Sequence, residues 1–242
     1  ERALTSNSDG QSMENDLLDM RGNLLFSQDK LEAALESFKQ IPRTEWDKYQ
    51  FNPFVDQIVD CIHCPLPDTI EYFNKVEIIE KIFELEYQSK ADFRNSARYF
   101  YQLGTAFYNL SYFGHSWNAF DYFRSGTNWE HRKLGIFDHW FFPYGNREHH
   151  DCTKALFYFD KARELAKDPE LAARATFMAA KCEQNNYFVS KDCDYSYYSR
   201  QMPQLPLGYQ KNYQRLKNNY ADTRFYQEAV TKCRYFAAFA SK

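Results

Sequence analysis

YQLGTAFYNLSYFGHSWNAFDYF, residues Tyr101–Phe123, crowds aromatic rings around two small residues, Gly104 and Ser116. A small residue lets two helix backbones approach closely, and large side chains a turn away fill the space on either flank. Residues 92–110 and 113–125 therefore read as two helices packed as a pair, with Gly104 and Ser116 meeting across them.

The rest of the chain agrees with a helical reading. Of its 242 residues 44% are hydrophobic and 26% charged, a balance that builds a core rather than a disordered chain. Gly and Pro number only 8 each, too few turn-formers for a many-stranded sandwich. Leu17, Leu18, Arg21, Leu24 and Leu25 form one stripe. Asp29-Lys-Leu-Glu32 reads as a capping box opening a second helix, whose face is Leu31, Ala34, Leu35, Phe38 and Ile41, closed by Pro42. Phe54, Val55, Ile58, Val59 and Ile62 predict a third helix, stopped at Pro65 and Pro67. Asp68 caps a longer one through Tyr87, with Ile70, Phe73, Val76, Ile79, Ile82 and Phe83 facing inward. The period breaks over 126–150, an insertion or long loop, and resumes in Ala155–Ala166. Asp168-Pro169 is an N-cap followed by proline at the first helical position. Residues 188–206 read as irregular, the Tyr-rich 194–200 included, and final helices are expected over 208–219 and 223–239. Residues 1–12 read as a frayed terminus and 13–242 as a single domain.

Two segments share a set of slots. Gly22 and Gly104 are each followed twelve residues later by a small residue, Ala34 and Ser116, and four beyond that by Phe38 and Phe120. Leu18 and Phe100 stand four before the glycines, and Leu25 and Phe107 three after. Ala155, Phe159 and Ala162 repeat the second half of the signature, and Ala179-Ala180 the first. This arrangement resembles the tetratricopeptide repeat, over about half of the chain. The resemblance implies an all-α fold, a solenoid of antiparallel helix pairs with a concave groove formed by the first helix of each pair. It departs from the family at Arg21, Thr176 and Glu183, where large apolar residues are expected. The 151–167 helix also follows what reads as another second helix, so that either the 126–150 insertion supplies a missing element or the array is reset there.

Under that resemblance the groove face of the second unit would carry Arg98, Tyr101, Gln102, Thr105, Tyr108 and Asn109, and a later unit Arg174, Phe177, Lys181 and Asn185. Tyr offers contact area to an extended peptide, while Arg and Asn offer donors for its carboxylates and carbonyls. For metal chemistry the candidates are Cys61, His63 and Cys64, a C-x-x-C pair at an expected helix end, with His149, His150 and Cys152 as distant partners. A plain structural pair of cysteines, a 61–64 disulfide, and a solvated His pair account for the same residues. No phosphate loop, HExxH, GxSxG or EF-hand pattern is present, and neither catalysis nor a cofactor is expected. A net charge of −3 gives no basic excess for nucleic acid, and no apolar run spans a membrane.

The expected function is a non-enzymatic scaffold binding a protein or peptide partner. The alternatives are a carbohydrate-binding module of a bacterial envelope system, with Tyr and Trp as stacking platforms, and a zinc or redox site at Cys61 and Cys64. The opening ERALTSNSDG has neither Met nor an apolar signal core, which reads as a fragment or a processed product. The texture of the chain resembles bacterial envelope-associated repeat proteins, so the envelope or periplasm is favoured over the cytoplasm.

Overall fold

Every regular element among the described residues is helical. The computed structural model describes residues 13–61, 64, 70–122, 124, 149–190, 192–193 and 205–241, and among them are ten α-helices and no strand. They are α1 (Met13–Ser27), α2 (Leu31–Phe38), α3 (Arg43–Trp46), α4 (Lys75–Ala91), α5 (Ser96–Asn109), α6 (Thr153–Leu165), α7 (Pro169–Phe188), α8 (Lys211–Asn219), α9 (Arg224–Lys232) and α10 (Arg234–Ala240). Helices next to each other in sequence pack on one another: α1 on α2, α4 on α5, α5 on α6, α6 on α7 and α7 on α8. No described helix is long and apolar enough to cross a membrane.

The first pair follows from its sequence. Leu31, Ala34, Leu35, Phe38 and Ile41 are all buried. A Cβ built on Gly22 would stand 2.4 Å from Phe38 Cε1, so the ring of α2 lies directly on the bare backbone of α1. The expected capping box does not form, because Asp29 adopts φ 59° and turns the chain out of α1. The residue that precedes α2 is Lys30, with no side-chain cap. On α1, Leu18 and Leu25 reach the core, whereas Leu17 and Leu24 are exposed.

The opening pair of helices is corrected. Over 113–125 the described residues hold only a 3-10 turn, Trp117–Ala119. The chain turns back at the end of α5, where the Ser116 N–H donates to the Asn109 carbonyl at 3.0 Å. A Cβ on Gly114 would come within 2.1 Å of Asn109 Cα, so this return path requires glycine. Gly104 faces Phe159 of α6 rather than Ser116, with a built Cβ 2.7 Å from the Phe159 ring. Phe120 instead stacks on Phe26 of α1, ring centroids 3.8 Å apart. The helix pair is thus α5 with α6, whose inward residues Ala155, Phe159 and Ala162 are all buried.

Two other expectations change. No helix forms over the described residues of 54–62, which run as an irregular segment beside α5 and α7. The next helix starts at Lys75, not after Asp68, because Asn74 and Glu77 make a complete capping box. Phe73 lies outside it and exchanges backbone hydrogen bonds with Phe51 at 2.7 and 2.8 Å. At the other end of the chain the Asp168 cap and Pro169 start α7 as expected. The single helix expected over 223–239 is divided at Cys233. Most of residues 126–150, expected as an insertion or long loop, and residues 194–200 lie outside the described residues.

Candidate functional site

The helical periods of α5 and α7 bring the expected groove residues to one face. Tyr101, Thr105, Tyr108 and Asn109 recur at spacings of three and four on α5, and Arg174 and Lys181 stand two turns apart on α7. Most of this face is occupied by the chain itself, through residues 53–60 of the irregular segment.

The grip on that segment is polar and two-sided. The Tyr101 hydroxyl donates to Asp56 Oδ2 at 2.6 Å, and Arg174 Nη1 reaches the same oxygen at 3.3 Å. The Tyr108 hydroxyl donates to Asp60 Oδ2 at 2.8 Å and accepts from Asn185 Nδ2 at 3.0 Å. Lys181 Nζ donates to Asp60 Oδ1 at 2.5 Å and to the Gln57 carbonyl at 3.0 Å, lying 4.8 Å from the Tyr108 ring centre. Asn109 Nδ2 donates to the carbonyls of Pro53 and Val55 at 2.9 and 2.8 Å. His115 Nε2 is 3.1 Å from the Val55 carbonyl, an acceptor, so it carries the proton, and Nδ1 accepts from Ser116 Oγ at 3.1 Å. Burial holds the His115 pKa below its ordinary value, partly offset by the Val55 carbonyl. Carbonyls that a helix over 54–62 would have bonded internally are satisfied from two other helices instead.

Several sequence-named residues are therefore interior. Tyr108 and Thr105 have no exposed surface and Asn109 is 2% exposed. Thr105 bonds its own helix at the Tyr101 carbonyl, 2.9 Å away, and Phe177 is core. Arg98 and Gln102 remain exposed, beside a cavity of about 480 Å³ lined also by Phe54, Asn95, Tyr99, Tyr101 and Leu171. Asp56 and Asp60 were missed by the sequence reading. Their signal was two carboxylates four residues apart inside an apolar stripe.

The phenols behave as fixed donors. Burial first, then the facing Asp56 or Asp60, pushes Tyr101 and Tyr108 well above the usual phenol range. Burial likewise raises Tyr213 strongly and Tyr235 to about 12. These groups keep protons in the fold that the unfolded chain releases above about pH 10. Their contribution is complete below that pH and is lost as pH rises toward the folded values. Stability is expected to fall steeply above about pH 10, with a subset of phenolate absorbance appearing only as the helices unfold. Titration of every tyrosine near pH 10 with helicity retained would contradict it.

Among the described residues the metal candidates are not brought together as ligands. Cys61 and Cys64 form a disulfide, which removes both thiolates. His63 lies outside the described residues. His150 packs against Tyr112, ring centroids 4.4 Å apart, and Cys152 is buried beside Cys182, whose thiol burial pushes up. Among the described residues no group of three or more His, Cys, Asp or Glu is placed to hold a metal ion.

A second concavity lies between α1, α3 and the 3-10 turn. Its volume is about 630 Å³, with Trp46, Tyr49, Tyr122, Asp16, Asp19 and Asp121 in its lining. Lys75 enters it, bonded to Asp19 Oδ1 at 2.6 Å and Asn23 Oδ1 at 3.0 Å. Burial lowers the Lys75 pKa, against the upward pull of Asp19.

No protein-family model, no curated protein and no solved structure matches this chain.

Proposed function

We propose that this chain is a non-enzymatic scaffold of the tetratricopeptide-like kind, an α-solenoid that binds a protein or peptide partner across α5 and α7. In this reading α1 with α2 and α5 with α6 are repeat units, and residues 110–152 are an insertion between the two helices of the second. The resemblance to envelope-associated repeat proteins makes a bacterial envelope or periplasm the favoured setting. The observation that carries the reading is the grip on residues 53–60. Side chains from α5 and α7 take up three backbone carbonyls and two carboxylates of an irregular stretch, the groups by which an extended peptide is recognised. Beside it, Arg98 has no ion pair with a described residue and, with Gln102, borders an open cavity.

A peptide library displayed on phage tests this directly. Peptides selected on the folded chain are expected to slow amide exchange in α5 and α7, and Arg98→Ala is expected to weaken them about 5–30-fold, the loss of one charged anchor. Failure to enrich any peptide over an unrelated helical control, or protection confined to other helices, would remove the reading.

A glycan-binding reading has one observation of its own, the aromatic and acidic cavity beside α1 and α3, where Tyr49 and Tyr122 are 59% and 62% exposed. Tryptophan fluorescence during titration with soluble polysaccharides tests it. A saturable change abolished by Trp46→Phe with Tyr122→Ala supports it, and no change across neutral and acidic glycans ends it.

A further inference from the structure

We infer that residues 52–60 are a resident ligand of the α5–α7 face, and that the partner segment displacing them is an acidic one with two carboxylates four residues apart. This rests on the reading of that face as a peptide groove.

The spacing comes from the face itself. Tyr101 with Arg174 makes one carboxylate station, and Tyr108 with Lys181 makes another, two helical turns along each helix. Asp56 and Asp60 occupy them. Lys181 takes the Gln57 carbonyl, and Asn109, next to Tyr108 on α5, takes those of Pro53 and Val55, so the segment folds back on the face. Carbonyl contacts are indifferent to side-chain identity, so the two stations set the choice. Each station supplies one cation and one phenol, but Arg174 also reaches Glu228 at 4.0 Å, so it is a strand lacking the second acid that leaves a cation, Lys181, without its counterion. Lys181 is 6% exposed, so its station carries most of the discrimination. Val59 is 53% exposed and Asp60 lies at the surface end, which gives an incoming strand a place to begin displacing the resident one.

Occupation in cis lowers the apparent affinity for any strand in trans by the fraction of molecules whose face is vacant. Asp56→Asn with Asp60→Asn weakens the resident strand and leaves the face intact. The probe is a fluorescent synthetic peptide of residues 52–60, read by anisotropy against the full chain. Binding to the double variant is expected to be about tenfold or more tighter than to the unaltered chain. The same peptide with both Asp replaced by Asn is expected not to bind. Equal binding to both proteins, or no binding to a double variant that keeps its helical circular dichroism, would overturn the inference.

Should the double variant unfold, amide exchange on the unaltered chain decides. Excess acidic peptide is expected to speed exchange in residues 54–60, and unchanged exchange overturns the inference. The two readings fail differently. Selected peptides that protect α5 and α7 without mobilising residues 54–60 leave the groove standing and remove the resident ligand. Selected peptides that protect only other helices remove the groove.

Discussion

Phe159→Ala is expected to lower the unfolding free energy by about 3–5 kcal/mol, read as a fall in the urea midpoint at unchanged slope. Phe159 is fully buried, and its ring covers the bare backbone at Gly104. It also lies 5.7 Å from the Tyr101 ring, so its loss opens the floor beneath the Asp56 station. Truncation leaves a cavity that the rigid seam between α5 and α6 cannot close, which is why the expected loss lies in the range for a large core ring. Gly104→Ala provides the matching test. In the unaltered chain the new methyl meets the Phe159 ring at 2.7 Å, and the overpacking, about 1–3 kcal/mol, outweighs a helix-propensity gain of about 1 kcal/mol. Beside Phe159→Ala the clash vanishes and the same substitution is expected to stabilise. No reversal of sign would mean that the two residues do not meet.

Asp60→Ala is the second large effect, a loss of about 2 kcal/mol in the same denaturation experiment. It leaves the Lys181 ammonium with only the Gln57 carbonyl, and the Tyr108 hydroxyl with only Asn185. Breaking a fully buried pair costs about 3–5 kcal/mol, and the lower figure reflects an Asp60 side chain that is 38% exposed and within reach of water. The same substitution frees the end of the segment, so faster amide exchange in residues 54–60 is expected to accompany the loss. A change within about 0.5 kcal/mol would place Asp60 among ordinary surface carboxylates.

Local chemistry made much of the helical frame legible. Gly22 and Phe38 meet as their spacing implied, Asp168 and Pro169 begin a helix, and the α2 stripe is buried throughout. Gly104 was correctly read as a close-approach position, but its ring lies 55 residues away rather than sixteen, a distance along the chain that no local pattern measures. The 54–62 stretch was misread because an apolar stripe at helical spacing carries no record of distant donors. Asn109, His115 and Lys181 satisfy its carbonyls from 54 to 124 residues away. The residues expected to line a groove share one face of α5, since helical periodicity alone puts Tyr101, Tyr108 and Asn109 together. What they hold was not legible, because Asp56 and Asp60 look like any solvated pair until the fold brings α5 and α7 against them.

The most direct test of the account is a double-mutant cycle between Asp60 and Lys181, using Asp60→Asn, Lys181→Met and the double variant in urea denaturation. A segment held on the α7 face by this 2.5 Å contact predicts a coupling of about 1–3 kcal/mol. Strict additivity, within about 0.3–0.5 kcal/mol, would mean the two charges do not meet and that the face does not hold the strand.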